Sequence, residues 1–406
     1  MAPCLMNILL LCPWFPYPPN WGFAKRVYHI LEVLARRHTV TLLTYTDGDD
    51  AAQLSALATL CTVHTVPRRR HRFGKRLGQL ASLPSPVSFQ RRLIHTAAMQ
   101  EALDTLSSGT PFDIIHVSTS QMACFRFDPR STLVLDEHNV EYELYHRVAQ
   151  AEGSLPRRVF NWLEYVKFKR EEIAAWRAVD GCAMTSAREA QLVNELVPAT
   201  PTEVVPNAVD TEFFAPSPAA VDPDMIVLTG LMKYRPNVDG AIYFVRDILP
   251  RIQRSRPKAK FYIVGGEAPP EVTRLASSSV VVTGGVDDVR PYVHAAAVFA
   301  VPLRMGSGTR LKVLEGLSMG KPMVSTAIGC EGIEVADRQH LLIADGADRF
   351  ADAVLELMSD SALSRTLAVQ GRALMLAKYR WDHVVETLEQ FYARLTSDAA
   401  SPSRQA

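Results

Sequence analysis

The chain runs to 406 residues, 48% hydrophobic and 21% charged, which excludes a disordered or fibrous chain and leaves room for two domains with separate cores. Forty-four Lys and Arg against 43 Asp and Glu give a net charge of +1, which argues against a dedicated nucleic-acid binder and confines any basic partner surface to a local patch. The six cysteines, Cys4, Cys12, Cys61, Cys124, Cys182 and Cys330, form no C-x-x-C pair and read as reduced, buried thiols of a cytoplasmic protein.

The opening apolar run, Met6 to Cys12, has no Lys or Arg before it and is followed by Pro13, Pro16, Pro18 and Pro19, so it reads as a first buried strand rather than a signal-peptide core. Asn7 to Leu11 as a strand, Arg26 to Arg36 as an amphipathic helix and Thr39 to Tyr45 as the next strand make a βαβ unit. Asp113 to Val117 and Thr132 to Asp136 are further strands, each ending in polar residues where the carboxyl edge of a parallel sheet would lie. The Pro-rich stretch Ala215 to Pro223 reads as an interdomain linker or boundary loop. Beyond it, Met225 to Thr229, Lys260 to Val264, Val280 to Thr283, Val298 to Pro302, Pro322 to Thr326 and Leu341 to Ile343 form a second series of strands with helices between them. Trp381 to Leu395 is a long amphipathic helix, and Ser397 to Ala406 reads as a frayed end. No apolar run approaches the roughly 18 residues needed to span a bilayer.

Two nucleotide-binding motifs fail on inspection. Gly306-Ser307-Gly308 starts like a dinucleotide fingerprint but has Leu311 in place of the third glycine, and Gly316 to Lys321 is one residue short of a phosphate loop, with Pro322 where Ser or Thr would bind magnesium. Asp47-Gly48-Asp49-Asp50 offers paired carboxylates for a metal but also reads as a solvated turn. The informative stretch is Ala300 to Thr326. An apolar strand ends at Pro302, a glycine-bearing loop follows, and a helix starts near Thr309. Such a loop offers free N–H groups and the positive end of a helix to an anion. Lys312 and Glu315, spaced i, i+3, share a face, so a cation for phosphate and a carboxylate for hydroxyls point the same way. A capped surface helix with an ordinary ion pair would give the same pattern.

The segment resembles the donor-binding motif of the family-4 glycosyltransferases, retaining enzymes of GT-B fold. Glu315 matches the family's second glutamate, and Gly308, Gly320 and Pro322 also match. Val205-Pro206-Asn207-Ala208-Val209-Asp210 is similar to the family's Pro-Asn-Gly-Val-Asp, while Ile263-Val264-Gly265-Gly266 and Thr283-Gly284-Gly285-Val286 match the two strand ends before the nucleotide. Two positions depart from the pattern. Ser307 stands where the family has its first glutamate, and Leu231 and Asn237 fall near the Arg and Lys that hold the donor diphosphate; Arg310 and Lys312 are the cations available to replace them. Thr229 to Asn237 with Val286 to Tyr292 resembles a branch found with bacterial exopolysaccharide systems.

Pro18-Pro19-Asn20-Trp21-Gly22, ahead of a helix bearing Arg26, is similar to the family's acceptor-side glycine loop. His138 falls where the family places a histidine at the reaction centre, and His116 and Asn139 on the acceptor side. A metal cluster of Asp136, His138 and Glu141 is the weaker alternative, because no further ligand set is apparent. Arg68, Arg69, Arg70 and Arg72, with Lys75, Arg76, Arg91 and Arg92, form a basic stretch that reads either as a solvated face or as a contact to an anionic membrane surface.

The resemblance implies an α/β GT-B protein with two Rossmann-like domains facing across a cleft, an acceptor domain over 1–212, a donor domain over 213–377 and a final helix crossing back to the first domain over 378–406. It implies metal-independent transfer of a sugar from a nucleotide-sugar donor to a saccharide or lipid-linked acceptor, with retention, at the inner face of the plasma membrane and without a resident cofactor. His138, Lys312 and Arg310 would be catalytic, with Ser307, Gly308, Thr309, Glu315, Gly265, Gly284 and Val286 on the donor and Gly22, Arg26, His116 and Asn139 on the acceptor side. A nucleotide-sugar epimerase and a non-catalytic partner subunit of the same fold remain alternatives.

Overall fold

The computed structural model describes residues 5–48, 50–68, 78–79, 82–109, 111–306 and 308–399. The chain forms two compact units, Met1–Pro206 with Trp381–Ala406, and Asn207–Arg380.

The first unit is built on a parallel sheet of seven strands: β1 (Asn7–Cys12), β2 (Thr39–Thr46), β3 (Thr62–Pro67), β4 (Ile114–Ser118), β5 (Thr132–Glu137), β6 (Gly181–Met184) and β7 (Thr202–Val204), in the order β3-β2-β1-β4-β5-β6-β7. Parallel strands covered by helices on both faces carry unbroken apolar runs, and Ile8 to Leu11 are buried without exception. The Gly22–Ala35 helix covers one face with Ala24, Val27, Ile30, Leu31 and Leu34, spaced as a helix stripe requires. Below the other face lies a core of Leu9, Leu11, Ile115, Val117, Leu135, Phe168 and Trp176.

The second unit carries six parallel strands: β8 (Asp222–Thr229), β9 (Lys260–Val264), β10 (Val280–Gly284), β11 (Ala296–Val301), β12 (Met323–Ser325) and β13 (Leu342–Ile343), ordered β10-β9-β8-β11-β12-β13. Alternate residues of β8 divide between two cores, Ile226 and Leu228 joining Phe244, Phe261 and Phe350, Met225 and Val227 joining Phe299, Leu314, Leu317 and Tyr379. In each sheet the strand order reverses beside the first strand, at β1/β4 and at β8/β11. Open α/β sheets bind ligands at the carboxyl ends of the strands flanking such a reversal. Together the two sheets make a GT-B α/β fold.

The unit boundary falls at Pro206/Asn207, ahead of the Pro-rich stretch read as a linker. The reason is local: the carbonyls of Val205 and Pro206 accept from Arg26 in the first unit, while Val209 N–H donates to Tyr379 O at 2.8 Å and Ser318 Oγ to Phe214 O at 2.8 Å within the second. β8 starts at Asp222, inside that stretch. The Trp381–Ala399 helix belongs to the first unit, where Tyr392, Glu389 and Trp381 meet His116, His38 and His29. All five described cysteines are free, and burial pushes the thiols of Cys61 and Cys124 up to about 11 and that of Cys12 to about 12, leaving them protonated and unreactive.

Candidate functional site

In the second unit the strand ends converge on a floor without side chains. Gly230 follows β8 with φ of +146° and Gly265 follows β9 with φ of +152°, and a Cβ on Gly265 would stand 1.9 Å from the Gly230 carbonyl oxygen. Only glycine fits there, because the two backbones touch. Gly284 ends β10 with φ of +71° and has open space where its Cβ would be, and Val286 beyond it is half-buried.

The loop after β11 turns at Gly306 and Gly308, with φ of +136° and +70°, and leads into the Leu311–Ser318 helix two residues later than its sequence suggested. Arg310, the residue at the helix start, is 6% exposed; its guanidinium lies against Gly306 and donates to the Gly308 carbonyl. Arg310 thus sits against the same glycine loop that the expected diphosphate would occupy. Half-buried Thr309 carries a hydroxyl with no hydrogen-bond partner among the described residues. Ser307 lies outside the described residues.

Lys312 is the cation that reaches Asn237. Its ammonium donates to Asn237 Oδ1 at 2.7 Å and stands over Gly230, where an added Cβ would come within 2.7 Å of Nζ. Asn237 is fixed by donating Nδ2 to Leu231 O at 2.9 Å. Desolvation pushes the Lys312 ammonium down to about 7, against the pull of Glu315 one turn on and with help from Arg310. A cation held this way lacks a full counter-charge, and an anion on the glycine floor would supply it. Glu315 is half-buried on the same helix.

In the first unit the hub is Asp136, at the end of β5 and fully buried. Arg26 donates to it from Nε at 3.2 and 3.0 Å and from Nη2 at 2.5 Å, and His138 Nε2 lies 3.0 Å from Oδ2. Burial alone would raise this carboxyl, but Arg26 and the two imidazoles outweigh it and hold it well below the carboxylate range. Burial also lowers His138 against the pull of Asp136, which keeps the ring neutral near pH 7. With Nε2–H donated to the carboxylate, Nδ1 is left as the acceptor.

Arg26 and His116, expected on the acceptor side, are each only 1% exposed. Arg26 also donates to the Val205 and Pro206 carbonyls, and His116 Nδ1 meets Tyr392 Oη at 2.6 Å. Both belong to the buried network around Asp136, His116 Nε2 lying 3.5 Å from its Oδ2. Gly22 is exposed at the start of its helix, which has no side-chain cap, and Asn139 is half-buried beside His138. Among the described residues no three His, Cys, Asp or Glu side chains group to hold a metal ion, and burial raises the Glu141 carboxyl to about 7.

An aromatic cluster in the β1 loop was not anticipated. Phe23 packs 4.9 Å from the His138 ring, Trp21 stacks on Phe23 at 5.2 Å, and Trp14 meets both edge-on. Trp21 is 42% exposed, so an indole face stands beside the histidine. Two Trp and a Phe around a Pro-rich loop were the available signal. Arg68 donates to Pro13 O at 2.5 Å and lies 5.3 Å over the Tyr45 ring. Arg69, Arg70, Arg72, Lys75 and Arg76 lie outside the described residues.

Residues 22–213 match the family model described as Glycosyltransferase Family 4, and residues 223–360 the one described as Glycosyl transferases group 1. The chain is 31% identical over 235 residues to a GDP-mannose-dependent alpha-(1-6)-phosphatidylinositol monomannoside mannosyltransferase of Mycobacterium tuberculosis, covering 51% of this chain and 60% of the relative. It thus spans about 60% of the length of that curated relative. It is 21% identical over 397 residues to an uncharacterized 44.6 kDa protein in the cps region of Klebsiella pneumoniae, covering 92% and 97% of the two chains. Among solved structures, sucrose-phosphate synthase from Thermosynechococcus elongatus superposes with a TM-score of 0.70 at 20% identity, over 98% of this chain and all of the other.

Proposed function

Because the chain belongs to glycosyltransferase family 4, we propose that it moves a sugar from a nucleoside-diphosphate donor held by the second unit to a hydroxyl of a saccharide or lipid-linked acceptor held by the first. The observation that carries this reading is Lys312, whose ammonium stands over the glycine floor within 2.7 Å of Asn237 Oδ1.

In the reaction the bond between the anomeric carbon and the donor phosphate oxygen breaks, a bond to the acceptor oxygen forms, and the acceptor proton passes to the departing phosphate. Negative charge grows on the diphosphate, where Lys312 and the backbone amides around Gly308 stabilise it electrostatically. This is the work a divalent cation would otherwise do, and it makes transfer independent of added metal. Glu315 accepts from donor hydroxyls, and Ser307, in place of a second carboxylate, sets the sugar preference. Neutral His138, oriented by Asp136, contacts the transferred sugar or the incoming hydroxyl on the same face as Trp21.

The mannosyltransferase relative is named for a phosphatidylinositol monomannoside acceptor and the Klebsiella relative for a cps region, which supports a role in surface polysaccharide assembly; retention of configuration and work at the inner face of the membrane complete the proposal. Calorimetric titration of wild type and Lys312→Ala with UDP and GDP tests the donor site. The expected result is binding of one of them in EDTA, weakened in the variant by about 1 to 3 kcal/mol. No binding of either nucleotide, or equal affinity in the variant, would remove Lys312 and the floor from the mechanism.

A further inference from the structure

The 24-residue Leu155–Ala178 helix of the first unit is anchored by its second half, where Phe168, Ala175 and Trp176 enter the core. Its first half behaves differently. Leu155, Val159, Trp162 and Val166 are 71%, 50%, 53% and 46% exposed, and their i, i+4, i+7, i+11 spacing sets them in one line along the helix. The line is about 16 Å long at 1.5 Å per residue. Four large apolar side chains aligned in water cost free energy unless something covers them.

The charges around the stripe say what covers it. At about 100° per residue Arg158 and Arg170 border the stripe, both exposed, and Lys169 beside it lies 5.2 Å over the Tyr142 ring. The one carboxylate between residues 155 and 170, Glu164, is 2% exposed and turned inward, accepting from Phe89 N at 2.7 Å and Lys167 Nζ at 3.4 Å. The flanking acids are engaged too, Glu152 with Ser154 N and Glu171 with Ser88 N and Oγ. The face is therefore apolar at its centre and positive at its margins. A second copy of this chain would bring the same positive margins against it, whereas phospholipid offers both an acyl layer and negative headgroups. An exposed Trp amid basic residues is the arrangement an interfacial helix uses. No described helix is long and apolar enough to cross a membrane, so this contact is one made along the surface.

We propose that the first half of the Leu155–Ala178 helix lies on an anionic membrane, inserting Leu155, Val159, Trp162 and Val166 between headgroups that Arg158 and Arg170 pair with. This rests on the surface alone and holds whether or not the donor site works as described. The full-length protein is sedimented with vesicles of phosphatidylcholine, with and without phosphatidylglycerol. Wild type should pellet with the phosphatidylglycerol vesicles and be released by high salt. The double variant Val159→Ser/Trp162→Ser should lose at least about tenfold in binding at unchanged thermal stability, since both side chains are solvated. Trp162→Phe should retain binding, and Arg158→Ser/Arg170→Ser should lose the preference for phosphatidylglycerol. Equal sedimentation of wild type and the serine double variant would overturn the proposal and move the contact elsewhere, for instance to the basic stretch at 68–76. Lipid-free self-association abolished by Trp162→Ser would overturn it in favour of a self-interface.

Discussion

Replacing Lys312 by Met should make the empty protein more stable and the nucleotide-binding protein useless. The Lys312 ammonium is depressed from 10.5 to about 7 by burial, so between those values the unfolded chain binds a proton that the folded chain does not, and stability rises with pH across that window. At and below pH 7 the folded state carries the full penalty, up to about 5 kcal/mol at 1.36 kcal/mol per pH unit. Methionine keeps the volume and removes the charge, so the midpoint of thermal unfolding at pH 7 should rise by several degrees. The same proton governs ligand binding. A diphosphate restores the counter-charge and draws a proton onto Lys312, so above pH 7 the dissociation constant should rise about tenfold per unit, in a range where the phosphate itself is already ionised. Calorimetry at pH 8 in two buffers of different ionisation enthalpy should read uptake of about one proton in wild type and none in Lys312→Met, by the same linkage. A flat affinity from pH 6 to 9, or a destabilised methionine variant, would refute the reasoning.

Gly265→Ala should abolish nucleotide binding and lower the unfolding temperature, because its Cβ would sit 1.9 Å from the Gly230 oxygen at a φ of +152°; circular dichroism melts and titration check both. Asp136→Asn should destabilise the first unit by about 3 to 5 kcal/mol, since it strands the buried Arg26 guanidinium, and denaturant unfolding reads it. His138→Asn should lower kcat and, because the ring is buried against Asp136 and Phe23, also destabilise the first unit, by less than Asp136→Asn does. Trp21→Ala should raise KM for the acceptor while leaving donor affinity unchanged, as an exposed ring with no core role would.

Strands were legible wherever the sheet buries them on both faces. Lys260–Val264 lies where its apolar run puts it, and β1, β5 and β10 differ from expectation by a residue at their ends. β3, β6 and β7 were not anticipated, because Thr62–Pro67 mixes polar residues into an edge strand while Gly181–Met184 and Thr202–Val204 are too short to show a period. In the site, Gly265 and Gly284 were legible through the family resemblance and the Lys312 helix through its strand-loop-helix pattern, whereas the contact of Gly265 with Gly230 was not, because backbone approach between two strand ends leaves no trace in spacing. The roles of Arg26 and His116 did not. A buried cation is legible only once its counter-ion is known, and Asp136 stands 110 residues from Arg26 along the chain. Trp21 and the stripe from Leu155 to Val166 were equally hidden, because apolar residues at helical spacing usually face a core and sequence does not say which face is left bare.

The most direct measurement follows a donor to its product. The protein is incubated in EDTA with whichever UDP- or GDP-linked hexose raises its melting temperature, together with saccharide and lipid-linked acceptors, and the products are read by mass spectrometry and proton NMR. The expected result is nucleoside diphosphate released in step with an acceptor one hexose heavier, its anomeric coupling matching that of the donor. Conversion of the donor to an isomeric sugar nucleotide with no acceptor gain, or tight nucleotide binding with no turnover against any acceptor, would contradict glycosyl transfer as the function.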